Sequence, residues 1–562
     1  MASVVATEDI DSRDWMQPDD APDLTKRIAK ELGASWATVA RASLTEAMER
    51  DVWIDFVADT GDDFSVSKAV AKLIAAEYEV DGERLPRGDV LLFGGDTAYP
   101  VATDIEIHNR VIVPWNQILK KRDDGKPRVL LGVPGNHDWF AGLDGFGRMF
   151  RRRRVGVERR VRERHKEKQK AKSDEEVDRL GQIGHLIEWV EAFRVGKDVF
   201  KRAALALRGY TPVQSASYFR LNLAPNIEMW GVDRQLRSVD FQQRAYFSER
   251  RGNPAVVLCV ADPIHAFLEP NPPGVRTLAA LGMTLEEDGP LVLTGDTHHY
   301  CRQTFGKSQH VIAGGGGAFL HPACIARVGV KNLPDAEFPG PKTTLALALQ
   351  VPFQIAHGRS GFLIHSVLAL FYGPLFFVQW MTAGSGTNAA AITAVVATLA
   401  CIGLGGWRHK FLRIALLSTV TGLVMGFLPT QAHLIADFVL HAMRVTTSSF
   451  QLAAFAYAIA VYGGTLALGT YLMLLTILGL EQHQALSALA HPGYKHFVRL
   501  RVRGDGSAID AWVLGHVDPL SADDPVVLVD KFTWKNPHTP AATSGEPAEQ
   551  EHVGSREKAV AD

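Results

Sequence analysis

Three adjacent residues, Asn136, His137 and Asp138, follow the apolar run Val129–Val133 and the breaker pair Pro134-Gly135. An amide, an imidazole and a carboxylate delivered together could supply a metal ligand, a proton donor and a group that orients the donor. Other apolar runs end in the same way. Val52–Ala58 runs into Asp59-Thr60-Gly61-Asp62-Asp63, and Val90–Phe93 into Gly94-Gly95-Asp96-Thr97-Ala98-Tyr99. Val256–Val260 is followed by Ala261-Asp262-Pro263-Ile264-His265, and Leu291–Leu293 by Thr294-Gly295-Asp296-Thr297-His298-His299. One acidic turn is ordinary, because Asp and Gly are common turn formers. Five endings that all carry hard oxygen or imidazole donors point to a shared metal site. That donor set suits Mn, Fe, Mg or Zn.

The elements that position such residues follow from the pattern. Short apolar runs bounded by Gly and Pro read as buried strands. In open α/β sheets, ligands gather outside the carboxyl ends of the strands. A sixth run, His310–Ala313, leads into four glycines and then His321.

In this order and spacing, GGDTAY, GNHDW and GDTHHY, the blocks resemble the calcineurin-like metallophosphoesterase superfamily over residues 50–325. The resemblance implies an α/β fold, a two-sheet sandwich flanked by helices. It implies two divalent or mixed-valence metal ions and a phosphate ester substrate. By that likeness Asp59 would bind the first ion, Asp96 would bridge both, and Asn136 would bind the second. His137 would act as the acid beside the substrate, and His298 would return to the first ion. The implied chemistry is attack on phosphorus by a hydroxide made available at the two ions.

Three departures qualify it. The usual Asp-x-His block is here Asp59-Thr60-Gly61, as in the purple acid phosphatases, which add a Tyr ligand at the position matching Tyr99. Tyr99 therefore stands either as a phenolate ligand or as a packing residue. The last block carries Asp296 where the family has its first His. The fourth-block His is missing after Val260, leaving Asp262 or His265 as a substitute. A receptor or scaffold that binds metal but hydrolyses weakly is the alternative these departures support.

Composition sets the rest. The 562 residues are too many for one core. A net charge of −2 gives no general pull toward nucleic acid, which is not expected as a partner. Four scattered cysteines, without CxxC spacing, fit a reducing compartment. The acidic opening residues lack an apolar signal region, so no cleavable signal peptide is expected.

Residues 141–215 interrupt the metal blocks as a basic insertion. Arg148–Lys172 holds thirteen Lys or Arg against three Glu. It reads as a solvated helix face or as a segment lying on anionic lipid, at about 1 kcal/mol per basic residue.

Four stretches, Gly361–Met381, Ala389–Trp407, Phe411–Leu428 and Phe450–Leu480, are long and apolar enough to span a bilayer. Leu434–Arg444, with Asp437, His441 and Arg444 on one face, reads as an outer interfacial helix, with a fifth span as the alternative. That polar stripe is also the sole support for a transport path. Basic residues in the second loop and after Leu480 (Lys495, Arg499, Arg501, Arg503) place the first half, that loop and the tail in the cytoplasm. The organisation expected is thus a multi-pass protein of the cell membrane. It comprises residues 1–345 as the phosphoesterase-like domain, 346–480 as about four membrane helices, 481–534 as a small cytoplasmic β-containing segment, and 535–562 as a disordered tail.

Overall fold

The strand Val52–Val57 (β1) is central to a sheet that its own half of the chain does not complete. The computed structural model describes residues 17–152, 205–235, 238–249, 253–359, 361–383, 386–406 and 410–538. Beyond β1, the first sheet takes Val90–Phe93 (β2), Arg128–Gly132 (β3) and Tyr210–Pro212 (β4). The second takes Phe219–Ala224 (β5), Ile227–Val232 (β6), Ala255–Val260 (β7), Leu291–Thr294 (β8), Tyr300–Phe305 (β9), Ser308–Ala313 (β10) and Ala336–Phe338 (β11). Three C-terminal strands, Lys495–Val502 (β12), Ala508–His516 (β13) and Val527–Lys535 (β14), join the first sheet. Its order is β14-β13-β12-β1-β2-β3-β4, and that of the second is β11-β9-β10-β8-β7-β6-β5. Both are mixed, seven-stranded sheets.

Strands β1, β2, β3, β7 and β8 are buried along their whole length. That accounts for their continuous apolar runs, since parallel strands covered on both faces leave no polar side. Alternate residues divide between two cores. Ile54, Phe56, Leu92 and Leu131 share one buried cluster with Leu221, Met229, Val257 and Leu293 of the other sheet. Val57, Leu91, Phe93 and Leu130 instead join a cluster with Val70, Ile74 and Trp115 from the helices Phe64–Ile74 and Val113–Leu119.

The C-terminal strands correct the expected organisation. Residues 481–534 do contain strands, but not as a separate small segment. β12 pairs antiparallel with β1, Asp55 lying opposite Arg499 and Ile54 opposite Leu500. Arg499 has no exposed surface. Its guanidinium donates to both Asp55 oxygens and to the carbonyls of Ile74, Ala76 and Leu85. All five N–H donors of an arginine are thereby used. Lys495 is also buried, and Arg501 and Arg503 pair with Asp510. These four cations serve the sheet, so they carry no weight as a charge signal at a membrane face.

Among the described residues, four helices are long and apolar enough to cross a membrane: Leu363–Thr382, Thr387–Gly405, Phe411–Ala442 and Ser449–Ile477. The third corrects the interfacial helix expected over Leu434–Arg444, because it runs unbroken past Pro429 to Ala442. Proline removes the N–H that would bond the carbonyl four residues earlier, that of Met425. The Tyr372 hydroxyl donates to that carbonyl at 3.0 Å, and Gln379 donates to the Pro429 carbonyl at 3.0 Å. Polar donors from the first helix let the third continue.

A further helix, Pro341–Ala356, precedes these four and packs Pro352 against Gly469 of the last one. It exposes Leu345, Leu349 and Phe353 at four-residue spacing. Of the basic insertion, residues 153–204 lie outside the described residues, as do 539–562 of the tail.

Candidate metal centre

Three aspartates at strand ends share an uncommon backbone conformation. Asp59, Asp96 and Asp296 follow β1, β2 and β8 with φ of 58°, 50° and 63°. Asp tolerates the left-handed region better than most residues, and such positions gather at functional sites. Glycines allow the close approach. A Cβ on Gly135 would stand 2.2 Å from Asp96 Oδ1, and one on Gly95 would stand 2.7 Å from the Ala261 Cβ. The turns are tied together by N–H groups of Asp59 and Thr60, which donate to the carbonyls of Gly95 and Asp96.

The side chains meet at Tyr99. Its hydroxyl lies 2.8 Å from Asp59 Oδ1, 3.3 Å from Asp96 Oδ2 and 2.9 Å from His298 Nε2. His298 Nδ1 lies 2.8 Å from the Phe319 carbonyl, which can only accept. Nδ1 therefore carries the proton, and the Nε2 lone pair faces Tyr99 and Asp59. A histidine held by its other ring nitrogen is the usual arrangement of a metal ligand. The backbone N–H of Asp296 donates to the Asp59 carboxylate at 3.0 Å, which brings Asp296 to the same cluster. Residues that stand far apart in sequence, Asp59, Asp96, Tyr99, Asp296 and His298, are thus brought together.

His137 and Asp138 are separated in role. The His137 N–H donates to Asp96 Oδ1 at 2.8 Å, and its ring lies 4.3 Å from that of Tyr99. His137 Nδ1 is 2.6 Å from the Pro100 carbonyl, so that carbonyl, not Asp138, fixes its tautomer. Asp138 accepts from the N–H groups of Gly135 and Thr97 instead, tying two strand-end turns. Its expected orienting role is corrected accordingly. Asn136 opens the short helix Asn136–Phe140 and is partly exposed beside the cluster.

His265 is not brought to the site. Pro263 turns the chain into a small hairpin, where the His265 ring packs 4.7 Å from Phe305. Asp262, the other substitute, is paired with Arg234.

Electrostatics sharpen the picture. Burial, and then the neighbouring carboxylates, push Asp59 and Asp96 well above the ordinary carboxylate range. Burial likewise lowers His298. Among the described residues, no group of three or more His, Cys, Asp and Glu stands ready-made to hold an ion. The Tyr99 hydroxyl is at the focus of the donors. It has one proton to give, against three acceptors aimed at it. Buried acceptors facing one another need a cation or extra protons, and two carboxylates, a phenol and an imidazole lone pair fit a hard or borderline metal.

Sequence reasoning missed several neighbours. His321 stacks on His298 with ring centroids 4.2 Å apart and accepts its backbone N–H at 3.1 Å. Lys495, from β12, donates to the Ala318 carbonyl, and burial lowers its ammonium to about 7. His321 was visible as a histidine after four glycines. Nothing marked Lys495, whose burial depends on β12 pairing with β1.

No family model matches the chain, and no curated protein matches it. Among solved structures it is similar to a Plasmodium protein described as GAP50, the anchor in the inner membrane complex. The two share 10% identity, the match covers 48% of this chain and 73% of that one, and the TM-score is 0.29.

Proposed function

We propose that this chain is a metal-dependent phosphoesterase of the calcineurin-like metallophosphoesterase type, tethered to the cell membrane by four spans. The observation that carries the reading is the convergence of Asp59, Asp96 and the His298 Nε2 lone pair on the single Tyr99 hydroxyl. The two facing sheets support it, with Asp59, Asp96, Asn136 and His298 all at strand ends, as that fold requires. Two ions, when bound, would supply a water of lowered pKa and neutralise charge on the phosphoryl oxygens.

The chain's own residues do the remaining work. Asp59, Tyr99 and His298 would hold the first ion, Asp96 would serve both, and Asn136 the second, with Asp296 alongside Asp59. Hydrogen bonds from His137 and Asp296 N–H groups orient the Asp96 and Asp59 carboxylates. With Nδ1 anchored on Pro100, only Nε2 of His137 is left to face a substrate and to pass a proton to its leaving oxygen. Asp138 keeps the Thr97 and Gly135 turns in register.

The topology assigned is multi-pass, with the sheets and the tail in the cytoplasm. The sheet shared by β1 and β12 supports this reading, because four spans return the chain to its starting side. The second loop belongs there as well, because Lys410 bonds Glu269 at 2.7 Å. Lys410 and Arg413 remain as the charge signal for the cytoplasmic side.

One observation favours a receptor or scaffold instead. Asp262 is paired with Arg234 and His265 lies elsewhere, so the second ion has fewer ligands than the first. Metal analysis of the purified full chain, with a panel of phosphate esters, separates the readings. Bound metal with turnover supports the enzyme, and bound metal without turnover on any ester supports the scaffold. Protein that takes up no metal and hydrolyses nothing overturns both.

A further inference from the structure

The metal centre lies one residue away from the base of the membrane helices. Phe319 supplies the carbonyl that holds His298, and its ring packs 4.7 Å from His298 and 6.4 Å from Tyr99. His321 stacks on His298 from the other side of the same short segment. Between them, Leu320 is fully buried in the cluster that fills the helix bundle, with Leu475, Leu480 and Leu486. Its N–H donates to the His491 carbonyl. A single short segment, Phe319–His321, therefore links the His298 ring to the bundle's buried base.

The outside of that base is built to meet lipid. Leu478, two residues before Leu480, is 52% exposed, and Leu412 at the start of the third helix is 83% exposed. The loop after His321 rests on the same level, since a Cβ on Gly479 would stand 2.8 Å from the Ala326 Cβ. Two residues beyond Ala326, Val328 is fully exposed. Lys410 bonds the Gly479 carbonyl at 2.8 Å, and Lys331 and Arg413 lie exposed on the flanking segments. Apolar side chains ringed by cations match the boundary between hydrocarbon and anionic headgroups.

Headgroups occupy about 5–8 Å on each side of a hydrocarbon core of about 30 Å. A centre joined to the base by so short a segment stands within reach of the lipid phosphates. A purely water-borne ester places no such demand on the fold, and a tether would serve it at any distance.

We propose that the phosphate ester taken by this site is borne by a lipid, its phosphate reaching the Asp59–Asp96–His298 cluster from the headgroup layer while its chains stay in the bilayer. This rests on the phosphoesterase reading above. The shared chemistry is a phosphate ester, and its source, lipid or water, is what an experiment separates. Restricting an ester to the plane where the site stands raises its effective concentration there.

The test uses the full chain reconstituted in phosphatidylcholine vesicles with Mn²⁺. The probes are dioleoyl phosphatidate and dioleoyl phosphatidylglycerol, their dibutyryl counterparts free in water, and nitrophenyl phosphate. At equal total concentration, a dioleoyl ester is expected to turn over at least about tenfold faster than its dibutyryl counterpart. Its rate should follow its mole fraction in the bilayer and not its bulk concentration. Dibutyryl esters turned over as fast as, or faster than, their dioleoyl counterparts would overturn the lipid source and leave the phosphoesterase reading standing, with nitrophenyl phosphate reporting only that the centre is active. If metal-loaded protein hydrolyses none of the probes, both fall together.

Discussion

Asp55 and Arg499, 444 positions apart, form an ion pair with no exposed surface, Nε to Oδ1 at 2.7 Å and Nη2 to Oδ2 at 3.1 Å. The pair joins β1, whose end carries Asp59, to β12, whose start carries Lys495. The four apolar helices are therefore inserted between strands of one sheet, and the chain on either side of them builds one site.

The pair predicts a specific pattern of stability. Arg499→Met leaves Asp55 buried without its partner and should cost about 3–5 kcal/mol. Asp55→Asn combined with Arg499→Met should recover part of that loss, because no lone buried charge remains. Thermal unfolding of the two variants measures it. Equal destabilisation by the single and double variants would mean that packing, not charge pairing, governs the site.

A second prediction concerns truncation. A chain ending before Gly361 keeps the metal residues but exposes β1 as a bare edge, a template for aggregation. It should be insoluble. Adding residues 490–538 through a flexible linker should restore solubility and metal uptake. A soluble, metal-loaded 1–360 fragment would show that β12–β14 are dispensable.

How much of this was legible varies with the residue. Asp59, Asp96, Asn136 and His298 could be read because each follows a short apolar run with a turn signal, which is local information. Arg499 and Lys495 could not. A cation in an alternating strand reads as a solvent-facing residue, and their burial depends on β1 and on the Phe319 loop, far away in sequence. The helix past Pro429 was misread for the same reason, since Tyr372, which satisfies the freed Met425 carbonyl, lies in another helix. His265 failed differently, because Pro263 redirects the chain before it can reach the cluster.

The metals give a third prediction. Asp96 offers Oδ2 to the cluster while Oδ1 is held by the His137 N–H. Asp96→Asn should strip both ions or leave one loosely bound, with the fold intact. Should iron be the native metal, a Tyr99 phenolate would colour the protein, and Tyr99→Phe would bleach it. Full metal occupancy with unchanged activity in Asp96→Asn would remove the site assignment.

His137 carries the last prediction. Its N–H is bonded to Asp96 and its Nδ1 to the Pro100 carbonyl, so the ring is fixed and Nε2 alone is free to act. With attack on phosphorus supplied elsewhere in the site, the remaining demand for a proton is at the leaving oxygen. An alkoxide is strongly basic and needs that proton in the transition state, whereas a nitrophenolate leaves without it. General acid catalysis is typically worth about 10²–10⁴-fold. His137→Gln should therefore slow alkyl ester hydrolysis within that range, slow nitrophenyl ester hydrolysis much less, and leave metal content unchanged. Asp138→Asn, which loosens the turns without touching the imidazole, should instead lower both ester classes alike. A His137→Gln protein that loses the same factor on every leaving group would make His137 a phosphate-binding residue and leave the acid role to another group.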